Sequence, residues 1–162
     1  MSQTNLHGIH NAPENSLLYE WKRLTNEGLA ASRAQCVAHA MGWYLRALQV
    51  AHRILTNPEP DVMDDDRLAA YVIAHLNIAD CYSLMNEPSN AAECLSCAHH
   101  KLVSLLQSSE ASASLQIAAS RQLRHTYAAL EQHHAKHGEH ALVEKALDAG
   151  RLHMIMPGTR LH

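Results

Sequence analysis

Large or apolar side chains recur at steps of three and four residues along most of this chain, and this period restricts the fold more than any other feature. Steps of three and four place side chains on one face of a helix. The composition agrees, because the chain has no Phe and only 4% aromatic residues, while Leu and Ala are strong helix formers. The sequence therefore predicts an all-α protein. The clearest run is Leu68, Val72, His75, Ile78, Ala79, Tyr82 and Met85.

Turn-forming residues divide this pattern into six helices in three antiparallel pairs. The clearest breaks are the segment 56–61, which holds two prolines, the turn at 86–89, and Gly138. Shorter breaks fall near 34–37 and 108–112. We predict one helical domain over residues 15–156, with pairs at about 16–55, 66–107 and 113–155, a flexible leader at 1–14 and a C-terminal tail at 157–162.

The three pairs share a pattern of small and large residues. It starts at Leu24, His75 and Tyr127, which are 51 and 52 residues apart. Small residues at such positions let two helices cross closely, and large residues fill the space beside them. The matching positions are Leu24, Gly28, Ala31, Gln35, Ala40, Tyr44 and Ala47 in the first pair, His75, Ile78, Ala79, Tyr82, Asn86, Ala91, Leu95 and Ala98 in the middle pair, and Tyr127, Leu130, Gly138, Leu147 and Gly150 in the third.

This spacing resembles the tetratricopeptide repeat over most of the chain, from about residue 16 to 156. His75 stands where that family has Trp or Leu, and Asn86 replaces its usual Gly. Ordinary repeats of the family have about 34 residues, so the longer offset implies longer helices and connections. The resemblance implies three antiparallel hairpins stacked as a superhelical array. It also implies a concave groove, lined by the first helix of each pair, that binds extended peptides or helices.

The resemblance identifies the side chains expected to face this groove. The apolar ones on the third helix form a strip around Asn77 that could receive an amphipathic partner helix. The chain's own leader or a second copy could equally cover the strip, and end hairpins without a stacking neighbour favour a homodimer. The expected groove residues are Lys22, Thr25, Leu29 and Arg33 on the first helix and Ile73, Leu76, Asn77, Asp80 and Leu84 on the third.

Charge and hydropathy exclude several classes of partner. The net charge is −3 with histidine neutral, and no basic stripe is present, which argues against nucleic acid. No run of about 18 apolar residues predicts a membrane span. The N-terminal segment is polar and does not look like a signal peptide, so we expect a cytoplasmic protein whose four cysteines are reduced thiols.

Two clusters of cysteine and histidine motivate an alternative hypothesis, a metal-binding helical protein. Thiolate and imidazole groups favour soft and borderline metals such as Zn, Cu or Ni. Cys94 and Cys97 share a helix face, and His133 and His137 lie one turn apart. The competing interpretation is buried small thiols in one case and a solvated helix end in the other. The candidate ligands are Cys94, Cys97, His100, His133, His137 and His140.

Catalytic motifs do not emerge from the sequence. It contains no glycine-rich phosphate loop, nucleophile elbow or kinase signature, and its Glu and His spacing does not match a di-metal carboxylate site. We therefore expect a non-enzymatic adaptor or chaperone-like module that needs no cofactor. It would engage a protein or peptide through its groove, or associate with itself.

Overall fold

The structure is a computed structural model, and it describes residues 16–155. This part of the chain is helical and contains no strand, so the all-α prediction is confirmed. The predicted flexible leader at 1–14 and tail at 157–162 lie outside the described residues. The helices are α1 (Leu17–Arg33), α2 (Val37–Thr56), α3 (Asp64–Leu84), α4 (Pro88–Gln107), α5 (Ala113–His137) and α6 (Ala141–Ile155).

Side chains and turns with a clear physical role set several of these boundaries. The Ser16 hydroxyl accepts a hydrogen bond from the Tyr19 amide at 3.1 Å and caps α1, and Ser112 caps α5 through the Leu115 amide in the same way. The third helix begins at Asp64, two residues earlier than expected. Its first turn is acidic, which suits the partial positive charge of a helix N-terminus.

The turns after α1 and α3 are built alike. Gln35 and Asn86 both adopt a left-handed backbone, with φ of 61° and 58°. In the first turn the Cys36 amide bonds to the Ala31 carbonyl at 2.9 Å, and in the second the Glu87 amide bonds to the Tyr82 carbonyl at 2.8 Å. This is the Schellman arrangement, which reverses the chain within three residues. Consecutive helices are therefore antiparallel at both places.

Each helix packs on its neighbour in sequence, and three contacts skip one helix. The skipping contacts join α3 to α5, α4 to α6 and, over a smaller area, α1 to α3. As a result α3 lies at the centre, and most of its 21 residues are buried. The core consists of hydrophobic clusters between these helices, with Trp21, Leu24, Leu102 and Leu130 among its fully buried side chains.

Two glycines allow helices to approach aromatic rings. Gly28 on α1 faces the ring of Tyr44 on α2, and Gly150 on α6 faces the imidazole of His99 on α4. A Cβ atom at either glycine would overlap the ring. The small-residue positions of the repeat pattern thus lie at close helix crossings in both places.

Arg67 ties the first turn of α3 to the end of α2, across the long loop that connects the two helices. Its guanidinium donates to the carbonyls of Ile54 at 3.2 Å and Leu55 at 2.6 Å, and it pairs with Asp64 at 2.7 Å. The residue is only 7% exposed, so these bonds are shielded from water. They satisfy carbonyls that the last turn of α2 would otherwise leave without partners.

None of the described helices is both long and apolar enough to cross a membrane.

Candidate binding groove between α3, α4 and α5

A groove of about 370 Å³ opens between α3 and α5, with α4 as its floor. We call it the α3–α5 groove. Two parallel helices form its walls, because α3 and α5 both run antiparallel to α4. Its lining consists of Leu76, Ala79, Asp80, Ser83 and Leu84 from α3, Ala91 and Leu95 from α4, and His125, Ala128, Ala129, Gln132, His133, Lys136 and His137 from α5.

The middle of the groove is an apolar recess, because small apolar side chains meet there. Four alanines contributed by all three helices leave room between the walls, and Leu76 and Leu95 add larger apolar surface. Leu84 stands at the mouth and is 48% exposed. A large apolar side chain in contact with both solvent and a recess is a typical anchor position for a partner.

One end of the groove is polar and is closed by a bridge between its walls. The Lys136 ammonium donates to the Ser83 hydroxyl oxygen at 3.2 Å, and the Ser83 hydroxyl lies 3.2 Å from Nε2 of His137. Desolvation lowers the pKa of His137, and the nearby His133 and Lys136 lower it further. A neutral His137 can accept a hydrogen bond from the Ser83 hydroxyl, so Lys136, Ser83 and His137 form a continuous chain of hydrogen bonds.

Asp80 brings the opposite charge to the α3 wall. Asp80 is exposed, yet desolvation of its carboxyl raises its pKa to about 6, and the positive charge of Lys136 acts against this rise. None of the ion pairs formed within residues 16–155 involves Asp80 or Lys136. Asp80 and Lys136 stand on opposite walls of the groove, and they are too far apart for a direct ion pair.

The predicted groove residues on α3 divide between the groove and the core. Leu76, Asp80 and Leu84 line the α3–α5 groove. Ile73 is 8% exposed and belongs to the cluster between α1, α2 and α3, and Asn77 is 4% exposed. A helix contacted on several sides buries part of the face that its sequence period assigns to a ligand.

The four predicted groove residues on α1 lie elsewhere. Thr25 is buried, and its hydroxyl donates to the Trp21 carbonyl at 2.8 Å. Leu29 packs against the cluster that contains Tyr44. Lys22 is half-buried, and Arg33 is exposed in the last turn of α1. As far as residues 16–155 define the lining, α1 does not contribute to it.

Sequence reasoning missed the α5 wall. The third pair matches the repeat pattern least well, so no groove residues were assigned to it. A signal was nevertheless present, because the lining residues from His125 to Lys136 recur at steps of three and four on one face of α5. The alternation of alanine with polar residues on that face indicates a recessed surface rather than a core.

Cys94, Cys97 and His100, the first set of candidate metal ligands, are not assembled into a metal site. The Cys94 thiol donates to the His75 carbonyl at 3.5 Å, and burial raises its pKa to about 12, with a further contribution from Cys97. Cys97 is exposed and His100 is half-buried. A thiol that stays protonated is a poor metal ligand.

The second set does bring histidines together. The rings of His133 and His137 lie 4.7 Å apart and those of His133 and His140 lie 6.2 Å apart. Each ring, however, already uses one nitrogen. His133 Nε2 donates to the Pro88 carbonyl at 2.9 Å, and His140 Nδ1 accepts from the Leu142 amide at 3.3 Å. Over residues 16–155, no group of three or more His, Cys, Asp or Glu side chains is placed to hold a metal ion.

Comparison with known proteins gives one match. The model of a family described as protein of unknown function (DUF2753) matches residues 19–156, which include all six helices except the first two residues of α1. No curated protein and no solved structure matches the chain.

Proposed function

We propose that this chain, which belongs to the DUF2753 family, is a non-enzymatic protein-binding module that receives a peptide or helix of another protein in its α3–α5 groove. The observation that carries the proposal is the groove itself, an apolar recess with an open mouth and one polar end. Its volume lies within the usual range for binding sites, and helix-in-groove recognition uses this combination of surfaces. In this role the protein would act as an adaptor or chaperone for its partner.

The proposal includes a tetratricopeptide-like stacking of the three hairpins. Two features support it. The turns at Gln35 and Asn86 have the same left-handed backbone and lie 51 residues apart, at equivalent positions of the repeat pattern. The contacts of α3 with α5 and of α4 with α6 join like helices of successive pairs, as stacked hairpins require.

Cytoplasmic localisation is part of the same proposal. All four cysteines of the chain are free thiols, and Cys94 and Cys97 remain unpaired although they lie three residues apart on α4. Reduced thiols are typical of a compartment kept reducing by glutathione and thioredoxin.

Site-specific photocrosslinking in the cells of origin tests the proposal. A photoreactive amino acid at Leu84, at the mouth of the groove, should capture a discrete partner, whereas the same group at Leu45, an exposed position on α2, should not. Ala128→Trp should fill the groove and abolish the capture. Ala135→Trp is the matched control, because Ala135 is also exposed on α5 but lies outside the lining.

Capture that persists in Ala128→Trp would contradict binding in the groove. Capture of a second copy of the chain alone would replace the adaptor role with self-association through the same surface.

A further inference from the structure

We infer that a second copy of this chain covers the α3–α5 groove when no partner occupies it, with α3 of each copy lying against α5 of the other. The inference rests on the proposed function, because it describes how access to that same site is regulated. Three properties of the groove support it: the placement of its two charges, the parallel direction of its walls, and an exposed leucine at its mouth.

The charges of the groove favour neither an acidic nor a basic ligand. Among the described lining residues, Lys136 on the α5 wall is the one lysine or arginine, and Asp80 on the α3 wall is the one carboxylate. They attract each other across the groove, but neither forms a direct ion pair within residues 16–155. A surface with one positive and one negative wall is complemented by a surface that carries the same two charges in reversed order.

Two-fold symmetry provides that surface. The walls are parallel helices, so a two-fold axis along the groove lays the α3 wall of one copy over the α5 wall of the other. Lys136 reaches Ser83, which is three residues from Asp80, so the two charges differ in height along the groove by about 5 Å. Asp80 of each copy therefore lies within reach of Lys136 of the other, and the same ion pair forms twice.

Both charged groups retain capacity for such a contact. Lys136 donates one N–H to Ser83, and an ammonium group has three. Desolvation raises the pKa of Asp80, so an ammonium group in direct contact stabilises the ionised carboxyl. The Asp80 and Lys136 side chains are both exposed in one copy, and a second copy can approach them from solvent.

Leu84 supplies the apolar part of the contact. It is 48% exposed at the mouth of the groove, where a single copy leaves it in water. In the paired arrangement the two recesses open onto each other, and Leu84 of each copy extends into their joint apolar space. Burial of these two side chains adds the stabilisation that ion pairs between exposed groups do not supply by themselves.

Like helix ends come together in the same arrangement and oppose it. The carbonyl ends of α3 and α5 lie at the polar end of the groove in both copies, and the amide end of α4 offsets only part of their negative charge. These are partial charges that salt screens, whereas the two ion pairs are in direct contact. We therefore expect a weak dimer, which a partner with more apolar contact can displace from the groove.

Sedimentation velocity of the full-length protein, from about 1 to 200 µM, tests the inference. We expect a monomer–dimer equilibrium. Asp80→Lys places a lysine opposite Lys136, and Lys136→Glu places a carboxylate opposite Asp80, so each variant should raise the dimer dissociation constant by about tenfold or more. Lys101→Glu, at an exposed position on α4 outside the groove, is the matched control and should leave the constant unchanged.

A mixture of the two charge-reversal variants gives the sharper result. The Asp80→Lys copy is positive on both walls and the Lys136→Glu copy is negative on both, so every pair across a mixed interface is again of opposite charge. The mixture should recover the dimer that neither variant forms alone, whereas Asp80→Lys mixed with Lys101→Glu should not. Recovery between two chains cannot arise from a change within one chain, so it separates pairing from an effect on folding.

The outcomes separate this inference from the proposed function. A monomer over the whole concentration range, a dimer that both charge reversals leave intact, or a mixture without recovery overturns the inference. The proposed function then still depends on capture at Leu84 and on its loss in Ala128→Trp. A dimer with the expected charge dependence, together with no capture of another protein, would instead overturn the proposed function and leave the groove as a self-association surface.

Discussion

The contacts of Gly28 with Tyr44 and of Gly150 with His99 use the same steric device at opposite ends of the molecule. In both, a helix glycine lies against a buried ring. They differ in the ring. Tyr44 lies between α1 and α2, and burial raises its pKa to about 12, so it stays neutral at any working pH. Close packing there depends on shape alone.

His99 makes the second contact sensitive to protons. Its Nδ1 lies 2.7 Å from the Thr126 hydroxyl, and its Nε2 faces Gly150 on α6. Desolvation lowers the pKa of His99 to about 4, and the neighbouring His100 adds to the effect. The comparison teaches that one packing solution acquires a pH dependence when an imidazole replaces a phenol.

The largest effect should come from Gly150→Ala. The new methyl group would overlap the His99 ring, which its hydrogen bond to Thr126 holds in place. We expect the free energy of unfolding to fall by about 3 kcal/mol, the upper end for overpacking. Urea denaturation measures it. Gly42→Ala is the matched control, because a Cβ there meets no atom within 4 Å, and it should stabilise α2 by up to about 1 kcal/mol. Equal stability of the two variants would refute tight packing at Gly150.

Acid should lower the free energy of unfolding through His99, by an amount comparable to that expected for Gly150→Ala. The folded pKa of about 4 lies below the ordinary value of 6.5. Between these values the unfolded chain binds the proton and the folded chain does not, so stability present above pH 6.5 is lost as the pH falls toward 4. The loss should be on the order of 3 kcal/mol. His75, whose pKa burial also lowers, acts in the same direction.

Denaturation of the wild type and of His99→Gln across this pH range measures the contribution. The Gln side chain can still donate to Thr126 but does not titrate. The stability of His99→Gln should therefore fall much less in acid than that of the wild type. Asp80 acts in the opposite direction, since its raised pKa stabilises the protonated folded state at low pH, and this effect is common to both proteins. Parallel pH curves for the two would show that His99 is not the sensor.

The smallest effect of the three should be that of Gly28→Ala. The methyl group would overlap the Tyr44 ring, but the hydroxyl end of that ring points toward Ser32, in a half-buried position near the end of α1. The ring can move outward, so we expect a loss of about 1–2 kcal/mol. Combining Gly28→Ala with Tyr44→Leu should recover part of it, as a double-mutant cycle in urea would show. Strict additivity of the two substitutions would argue against direct contact.

The sequence predicts the helices better than it predicts the groove. The apolar period identifies the segments and the all-α class, because burying one face is the main requirement for each helix. It does not show how many neighbours a helix has. Thr25 and Asn77 were assigned to a ligand-facing surface and are buried, because α3 packs against helices on several sides and so does part of α1.

The turns and the third pair show the limits of residue-type rules. Gln35 is not a typical turn residue, yet it adopts the same left-handed backbone as Asn86, because the hydrogen bonds of the Schellman turn favour that conformation. Val143 on α6 is not among the positions of the third pair that match the repeat pattern, yet it is fully buried. The pattern therefore located the pair but not the register of α6 within it.

Arg67 has a consequence for the continuity of the chain. Its bonds to Ile54 and Leu55 join the end of α2 to the start of α3 without using the peptide backbone between them. The connecting residues 57–63 therefore close a loop whose two ends a side chain already holds together. A protease cut within 57–63, or new chain termini placed there, would leave α2 and α3 held by the guanidinium and by their packed surfaces. The Arg67 side chain therefore links α2 to α3 in addition to the peptide chain that connects them.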